Sequence, residues 1–96
     1  MVIGILTLEL EIDHARSLKD KRSVLHRIKE RARNRFNLAI AEVECQEDWH
    51  CAVLGAVTVS NDQRHCNRVL DKVVDLIETL GDCQLADYNL EFMRSA

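Results

Sequence analysis

The chain has 96 residues, of which 47% are hydrophobic and 30% are charged, and it carries a formal net charge of −3. This size and balance favour one folded domain, residues 1–96, and argue against a disordered chain. No apolar run approaches the roughly 18 residues of a membrane span, and the N-terminus lacks the basic start and small-residue cleavage site of a signal peptide, so we expect no membrane association.

The first half of the chain predicts a strand, a helix and a second strand. Residues 2–12 alternate apolar and mixed positions with period two, which is typical of a half-buried strand. Ser17, followed three residues later by Asp20, resembles a capping box, although Glu or Gln is the usual partner. Apolar residues then recur at helical spacing as far as Phe36. Residues 37–45 alternate again.

The second half repeats this order. Residues 50–60 are rich in strand formers and pair with the preceding strand as a hairpin. Ser60 and Gln63 suggest a second capping box, and Gly81 is placed to end the helix that follows. Residues 83–93 predict the last strand. The order βαββαβ, with two right-handed crossovers around a hairpin, predicts a ferredoxin-like α+β fold: a four-stranded antiparallel sheet with both helices on one face.

The first predicted helix is strongly basic. Residues 15–35, "ARSLKDKRSVLHRIKERARNR", hold nine of the thirteen Lys and Arg residues and only two acidic residues, a local balance of +7 that leaves −10 for the rest of the chain. Cations at a helix start, beside free backbone N–H groups, suit an anion such as phosphate. We therefore predict that this helix contacts the phosphates of RNA, possible partners being an RNA or the ribosome. The predicted contacts are Arg16, Ser17, Lys19, Lys21, Arg22, His26, Lys29 and Arg33.

Two other interpretations of the basic helix stay open. A water-exposed helix face is often rich in Lys and Arg for solubility, and acidic residues of neighbouring elements can neutralise the cations. Alternatively, the helix start binds a small anion or an acidic protein partner in a dimeric sensing or interaction module. Base stacking has less support, because the first and third strands carry no aromatic residues, unlike an RNA-recognition motif. Trp49, in the hairpin turn, either stacks a base or caps the core.

The sequence indicates no catalytic residues, cofactor or metal. It contains neither a P-loop nor a glycine-rich dinucleotide turn. Cys45, Cys51, Cys66 and Cys83 form no C-x-x-C pair, so we expect thiols in a reducing cytoplasm rather than disulfides or a zinc site.

One face of the predicted sheet is left uncovered by the helices, and aliphatic residues occupy part of it. Burial of each such side chain is worth about 1.5–3 kcal/mol, so we predict a homodimer through this open face. The predicted interface residues are Ile3, Ile5, Leu38 and Ile40, with Leu54 as a further candidate.

The segments "RSLKDKR", "FNLAIAEV" and "AVLGAVTVSND" resemble the YlxP-like family of small bacterial proteins of unknown function, and the similarity extends over nearly the whole chain. The resemblance implies a ferredoxin-like fold and a cytoplasmic bacterial protein. Members are often encoded beside transcription and ribosome-maturation factors, which has prompted suggestions of RNA binding, and the family has no settled activity. The family's basic motif falls on Ser17, Leu18, Lys19, Lys21 and Arg22, and Trp49 matches its hairpin. Asp20 stands where Glu is commoner.

Overall fold

Four strands and two helices follow one another in the predicted order in the computed structural model, which describes residues 1–95. The elements are β1 (Val2–Glu11), α1 (Leu18–Arg35), β2 (Ala39–Glu44), β3 (Cys51–Ser60), α2 (Gln63–Thr79) and β4 (Gln84–Arg94). None of the helices in residues 1–95 combines the length and the apolar content that a bilayer crossing requires.

The strands form one sheet in the order β2-β3-β1-β4, and every neighbouring pair is antiparallel. The predicted ferredoxin-like arrangement is therefore confirmed. The edge strands are β2 and β4, while β1 and β3 pair along their whole length in the centre. The β2–β3 pair is the expected hairpin, with a register shift between Glu42 and Glu44.

The core lies between one face of the sheet and the two helices. Every second residue of β1 points into it, and Leu6, Leu8 and Leu10 are almost completely buried. Because apolar residues recur every three or four positions in both helices, each helix presents one continuous stripe to this face. The helical contributors include Leu25, Ile28 and Ala32 of α1 and Leu70, Val73 and Ile77 of α2.

Each helix begins with a side-chain cap. Ser17 caps α1, where its hydroxyl accepts a hydrogen bond from the N–H of Asp20 (3.1 Å), and the Asp20 carboxylate accepts one from the N–H of Arg16 (3.0 Å). The Ser17 half of the predicted capping box is thus present, whereas the Asp20 carboxylate binds the N–H of Arg16 rather than that of the cap residue Ser17. The cap of α2 is Asp62, which accepts from the N–H of Arg64 (3.0 Å).

This second cap corrects the predicted Ser60 and Gln63 pair. Ser60 lies two residues before the actual cap, and its hydroxyl accepts a hydrogen bond from the N–H of Asp62 (3.1 Å). Gly81 does not end α2 through a left-handed conformation, because no glycine has a positive φ. The helix ends instead with the N–H of Leu80 bonded to the carbonyl of Ile77 (3.1 Å).

The register divides the predicted dimer residues between the two faces of the sheet. Ile3 lies opposite Val59, which is 54% exposed, so Ile3 lies on the open face, as does Ile5 opposite Val57. Ile40 instead pairs with Ala56 and is 4% exposed within the core.

Two of the four predicted interface residues are therefore wrong. Leu38 packs against the same core as Ile40, as does the further candidate Leu54. The physical reason is that alternate residues of β2 face opposite sides of the sheet, and the even-numbered residues face the core. Ala39 and Ala41, rather than their larger neighbours, share the open face with Val57 and Gly55.

Candidate nucleic-acid interface

A row of three cations and one histidine runs along one flank of α1. Lys19, Arg22 and His26 are exposed, and Lys29 is half-buried. Their spacings of three, four and three residues place them one above the other on the helix surface. Arg16 is exposed just before the helix, and Arg33 is exposed one turn after Lys29.

This row forms the rim of an open groove of ≈ 780 Å³ between α1 and the edge strand β2. Leu25 gives the groove an apolar floor, and Glu42 is its single lining carboxylate. Glu42 does not neutralise the row, because its nearest cation is Lys21, at 2.9 Å. The groove therefore combines a cationic rim with a partly apolar floor.

The ion pairs among residues 1–95 show how much of the basic segment is neutralised. Besides the Lys21 pair, Arg27 lies 3.1 Å from Asp82, and Arg33 lies 3.6 Å from Glu30. Both of these pairs are exposed, so they are worth little. Within the described chain, the cations of the segment with no carboxylate in ion-pair range are Arg16, Lys19, Arg22, Lys29, Arg31 and Arg35.

Arg33 and Arg35 also contact groups of their own chain. Arg33 donates a hydrogen bond to the carbonyl of Ile40 (3.0 Å), which ties the last turn of α1 to β2. The guanidinium of Arg35 lies 5.5 Å from the ring centre of Phe36, a cation–π contact. Arg33 is therefore a weaker candidate for phosphate than Lys19, Arg22 and Lys29.

Lys21 is not part of this surface, which corrects its predicted role. Its side chain is 1% exposed, and its ammonium donates hydrogen bonds to the carbonyls of Cys45 and Asp48. The third neighbour is Glu42 Oε2, at 2.9 Å, in a contact that is ionic rather than a well-aligned hydrogen bond. Because the ammonium is buried among these three oxygens, it is not available to a phosphate on the surface.

The sequence did contain a signal for this burial. Lys21 lies three residues after Leu18 and four before Leu25, so it occupies a position of the apolar stripe rather than of the basic flank. A charged residue on that stripe needs partners from another element, and the β2–β3 connection supplies them.

Ser17, another predicted phosphate contact, already has a hydrogen-bond partner within the protein. Its hydroxyl caps the helix, and the Asp20 carboxylate occupies the N–H of Arg16. At the start of α1, Ser17 thus binds the N–H of Asp20, and the Asp20 carboxylate lies beside the cap. The cationic surface is consequently the flank of the helix rather than its N-terminus.

The β2–β3 connection lies against the beginning of α1. His50 Nε2 lies 2.9 Å from the carbonyl of Ala15, and the N–H of Ile12 bonds to the carbonyl of His50 (2.9 Å). Trp49, which directly precedes the anchored His50, is 46% exposed and does not belong to the core cluster. Its ring is thus open to solvent near the helix start. No three His, Cys, Asp or Glu side chains converge as metal ligands within the described residues.

The fold and this surface define a ferredoxin-like α+β protein with a cationic groove beside its first helix. The family model described as "Protein of unknown function (DUF503)" matches residues 3–90, and the chain belongs to this family. The chain is 34% identical over 83 residues to "Uncharacterized protein YlxP" of Bacillus subtilis (strain 168), a match that covers 86% of this chain and 90% of that relative. The resemblance to the YlxP-like family is therefore confirmed.

A solved structure shares the architecture. The "De novo designed protein Foldit4" aligns over 100% of both chains with a TM-score of 0.58 and 10% sequence identity. At this identity the likeness concerns the fold alone.

Proposed function

We propose that the protein is a non-enzymatic accessory protein of the bacterial cytoplasm that binds RNA, such as ribosomal RNA, through phosphate contacts along the exposed flank of α1. The observation that carries the proposal is that Lys19, Arg22 and Lys29 of this flank have no carboxylate partner within residues 1–95, in a chain whose net charge is −3. A merely solvated helix in an acidic protein has no need to keep these charges together and unneutralised.

The dimensions of the row suit a nucleic-acid backbone. From Lys19 to Lys29 the helix rises about 15 Å, at 1.5 Å per residue. One strand of a duplex presents phosphates about every 3.4 Å along its axis, so about four phosphates fit this length. The row has four members, Lys19, Arg22, His26 and Lys29, and contact to phosphate needs no base-reading residues.

Salt dependence tests this proposal. With about three or four phosphate contacts, the affinity for a labelled single-stranded RNA should fall with a slope of log K against log salt of about −2 to −3. A site for one small anion predicts a slope nearer to −1 and competition by inorganic phosphate, which would favour the anion-sensing alternative. Binding measured by fluorescence anisotropy from about 50 to about 300 mM salt distinguishes the two.

A triple variant with a matched control locates the site. Lys19→Ala, Arg22→Ala and Lys29→Ala together should reduce the slope to about −1 and weaken binding at least about tenfold at low salt. The control removes the same charge from exposed cations of α2, through Arg64→Ala, Arg68→Ala and Lys72→Ala. If the control lost as much affinity as the α1 variant, net charge rather than this flank would be responsible. Equal binding by the α1 variant and the wild-type protein would refute the proposal.

We further propose that two copies associate through the open face of the sheet. Ile3, Ile5, Val57, Val59 and Met93 share this face, and the last three are exposed. Four strands about 4.8 Å apart and six to eleven residues long cover about 600 Å², close to the lower limit of one side of a standard interface. Burial of these aliphatic groups favours association.

The acidic end of the same face suggests how the copies are arranged. Glu9 and Glu11 continue the row that Ile3 and Ile5 begin, and both are exposed. A two-fold axis through the aliphatic end brings like patches together and keeps the carboxylates of the two copies apart.

Sedimentation velocity tests the dimer. Ile3→Ser with Ile5→Ser should produce monomers at concentrations where the wild-type protein is dimeric. Tyr88→Ser is the control, because Tyr88 is exposed and pairs with Leu8 on the opposite, helix-covered face. A wild-type protein that stays monomeric at about 100 μM, or a double variant that sediments like a wild-type dimer, would eliminate this interface.

A further inference from the structure

Two thiols face each other across the β2–β3 connection. Cys45 directly follows β2, and Cys51 is the first residue of β3. Their sulfur atoms lie 2.9 Å apart, and the S–H of Cys51 donates to the sulfur of Cys45. Both are free thiols and both are partly exposed. The sequence alone predicts reduced thiols at these positions rather than a disulfide.

The backbone of the connection holds this pair in place. Cys45 has a φ of 65°, the left-handed conformation that non-glycine residues rarely adopt. The N–H of Asp48 bonds to the carbonyl of Cys45 (3.0 Å), and the buried ammonium of Lys21 binds that same carbonyl and the carbonyl of Asp48. The N–H of His50 donates to the Asp48 carboxylate (2.9 Å). The two sulfur atoms are thus positioned by a connection that is fixed to α1.

We propose that Cys45 and Cys51 are a reversible dithiol–disulfide pair whose co-reactant is a small-molecule disulfide of the glutathione type. A disulfide bond is about 2.05 Å long, so the sulfur atoms need to approach by less than about 1 Å. The side chains therefore reach bonding distance without a rearrangement of the hairpin. The inference is independent of the proposed RNA contact.

The reaction is two successive thiol–disulfide exchanges. The hydrogen bond to Cys45 and burial raise the pKa of the Cys51 thiol to about 11, so Cys51 keeps its proton at neutral pH. Because Cys51 donates its S–H to the Cys45 sulfur, we assign the first attack to Cys45: it loses its proton, bonds to one sulfur of the co-reactant, and releases the other half as a thiolate that takes up a proton.

Cys51 completes the exchange. It loses its proton and attacks the Cys45 sulfur of the mixed disulfide, and the second half of the co-reactant leaves as a thiol. Two protein thiols are oxidised, and one small disulfide is reduced to two thiols. The product closes residues 45–51 into a ring that carries the exposed Trp49.

The remaining cysteines provide an internal comparison. Cys66 is buried in α2, where its nearest polar contact is the carbonyl of Val2, at 3.9 Å. Burial and the neighbouring Asp82 raise the pKa of Cys83, which has no cysteine partner among the described contacts. We expect both to remain reduced thiols under conditions that oxidise the pair.

The experiment uses the full-length native protein and oxidised glutathione. After incubation, the protein is denatured in iodoacetamide, and its mass and peptides are measured. The expected result is two alkylated and two unalkylated cysteines, a mass lower than that of the fully alkylated reduced chain by two carbamidomethyl groups and two hydrogens, and a Cys45–Cys51 linkage that dithiothreitol reverses. The Cys83→Ser control should form the same linkage. Circular dichroism before quenching establishes that the protein is folded.

The Cys51→Ser variant tests the order of attack. Without the resolving thiol, it should accumulate a stable glutathione adduct on Cys45. Four alkylated cysteines in the wild-type protein at every glutathione ratio, or a linkage that involves Cys66 or Cys83, would overturn the proposal. Absence of the adduct in Cys51→Ser would overturn the role of Cys45 as the attacking thiol.

Discussion

Replacement of Lys21 by methionine tests the role that the structure gives to this buried cation. Methionine keeps the length and apolar stem of the side chain but removes the charge and the three donors. The Glu42 carboxylate and the Asp48 carbonyl then lose their cation, whereas the Cys45 carbonyl keeps its bond from the N–H of Asp48. The change therefore isolates the polar contacts from the packing of the stem.

The expected loss follows from these contacts. Removal of one member of a buried ion pair costs about 3–5 kcal/mol. The Glu42 side chain is 17% exposed, so water relieves part of the penalty, and we expect about 3 kcal/mol. This is a substantial part of the 5–15 kcal/mol that typical domains possess.

Urea unfolding at 25 °C, followed by circular dichroism, measures this loss. With an m value of about 1.5 kcal/mol/M, the midpoint should fall by about 2 M. Lys19→Met is the matched control, because Lys19 is exposed two residues earlier in α1, and its effect should stay within about 0.5 kcal/mol. Glu42→Gln should cost less, and its effect should be less than additive with that of Lys21→Met. A loss below about 1 kcal/mol for Lys21→Met, or one equal to that of Lys19→Met, would contradict the assigned role.

Two further changes test packing and thiol chemistry. Gly4→Ala places a Cβ 2.9 Å from Leu70 Cδ1, which should lower the free energy of unfolding by about 1–3 kcal/mol in the same urea assay. Gly55→Ala is the control and should cost less, because its nearest contact is an exposed valine at 3.2 Å. Equal losses for the two variants would contradict the assigned clash. Cys45→Ala removes the largest cause of the raised pKa of Cys51, so that pKa should fall from about 11 toward its ordinary value, and Cys51 should react faster with iodoacetamide at pH 9. An unchanged alkylation rate across the pH range would show that the Cys45 sulfur does not hold the Cys51 proton.

Local patterns predicted the elements of this fold because each pattern needs only neighbouring residues. The alternation in residues 2–12 gave β1, and the pair formed by Ser17 and Asp20 placed the start of α1. The basic character of that helix is likewise a property of consecutive residues. The order of elements then restricted the topology, because crossovers and hairpins allow few arrangements.

The faces of β2 were not determined in this way. In residues 37–45, both alternating sets contain apolar residues, so periodicity alone does not say which set meets the helices. The register against β3 decides it, since a shift of one residue exchanges the two faces. Ile40 consequently lies in the core and Ala39 on the open face.

By itself, then, the sequence determined the element order, the capping of α1 and the concentration of cations on that helix, because these depend on contacts within a few residues. The tertiary structure decided which cations are available. It buried Lys21 against carbonyls more than twenty residues away and left Lys19 and Arg22 exposed. It also brought Cys45 and Cys51 together, because only the turn of the hairpin and its attachment to α1 fix the direction of those side chains.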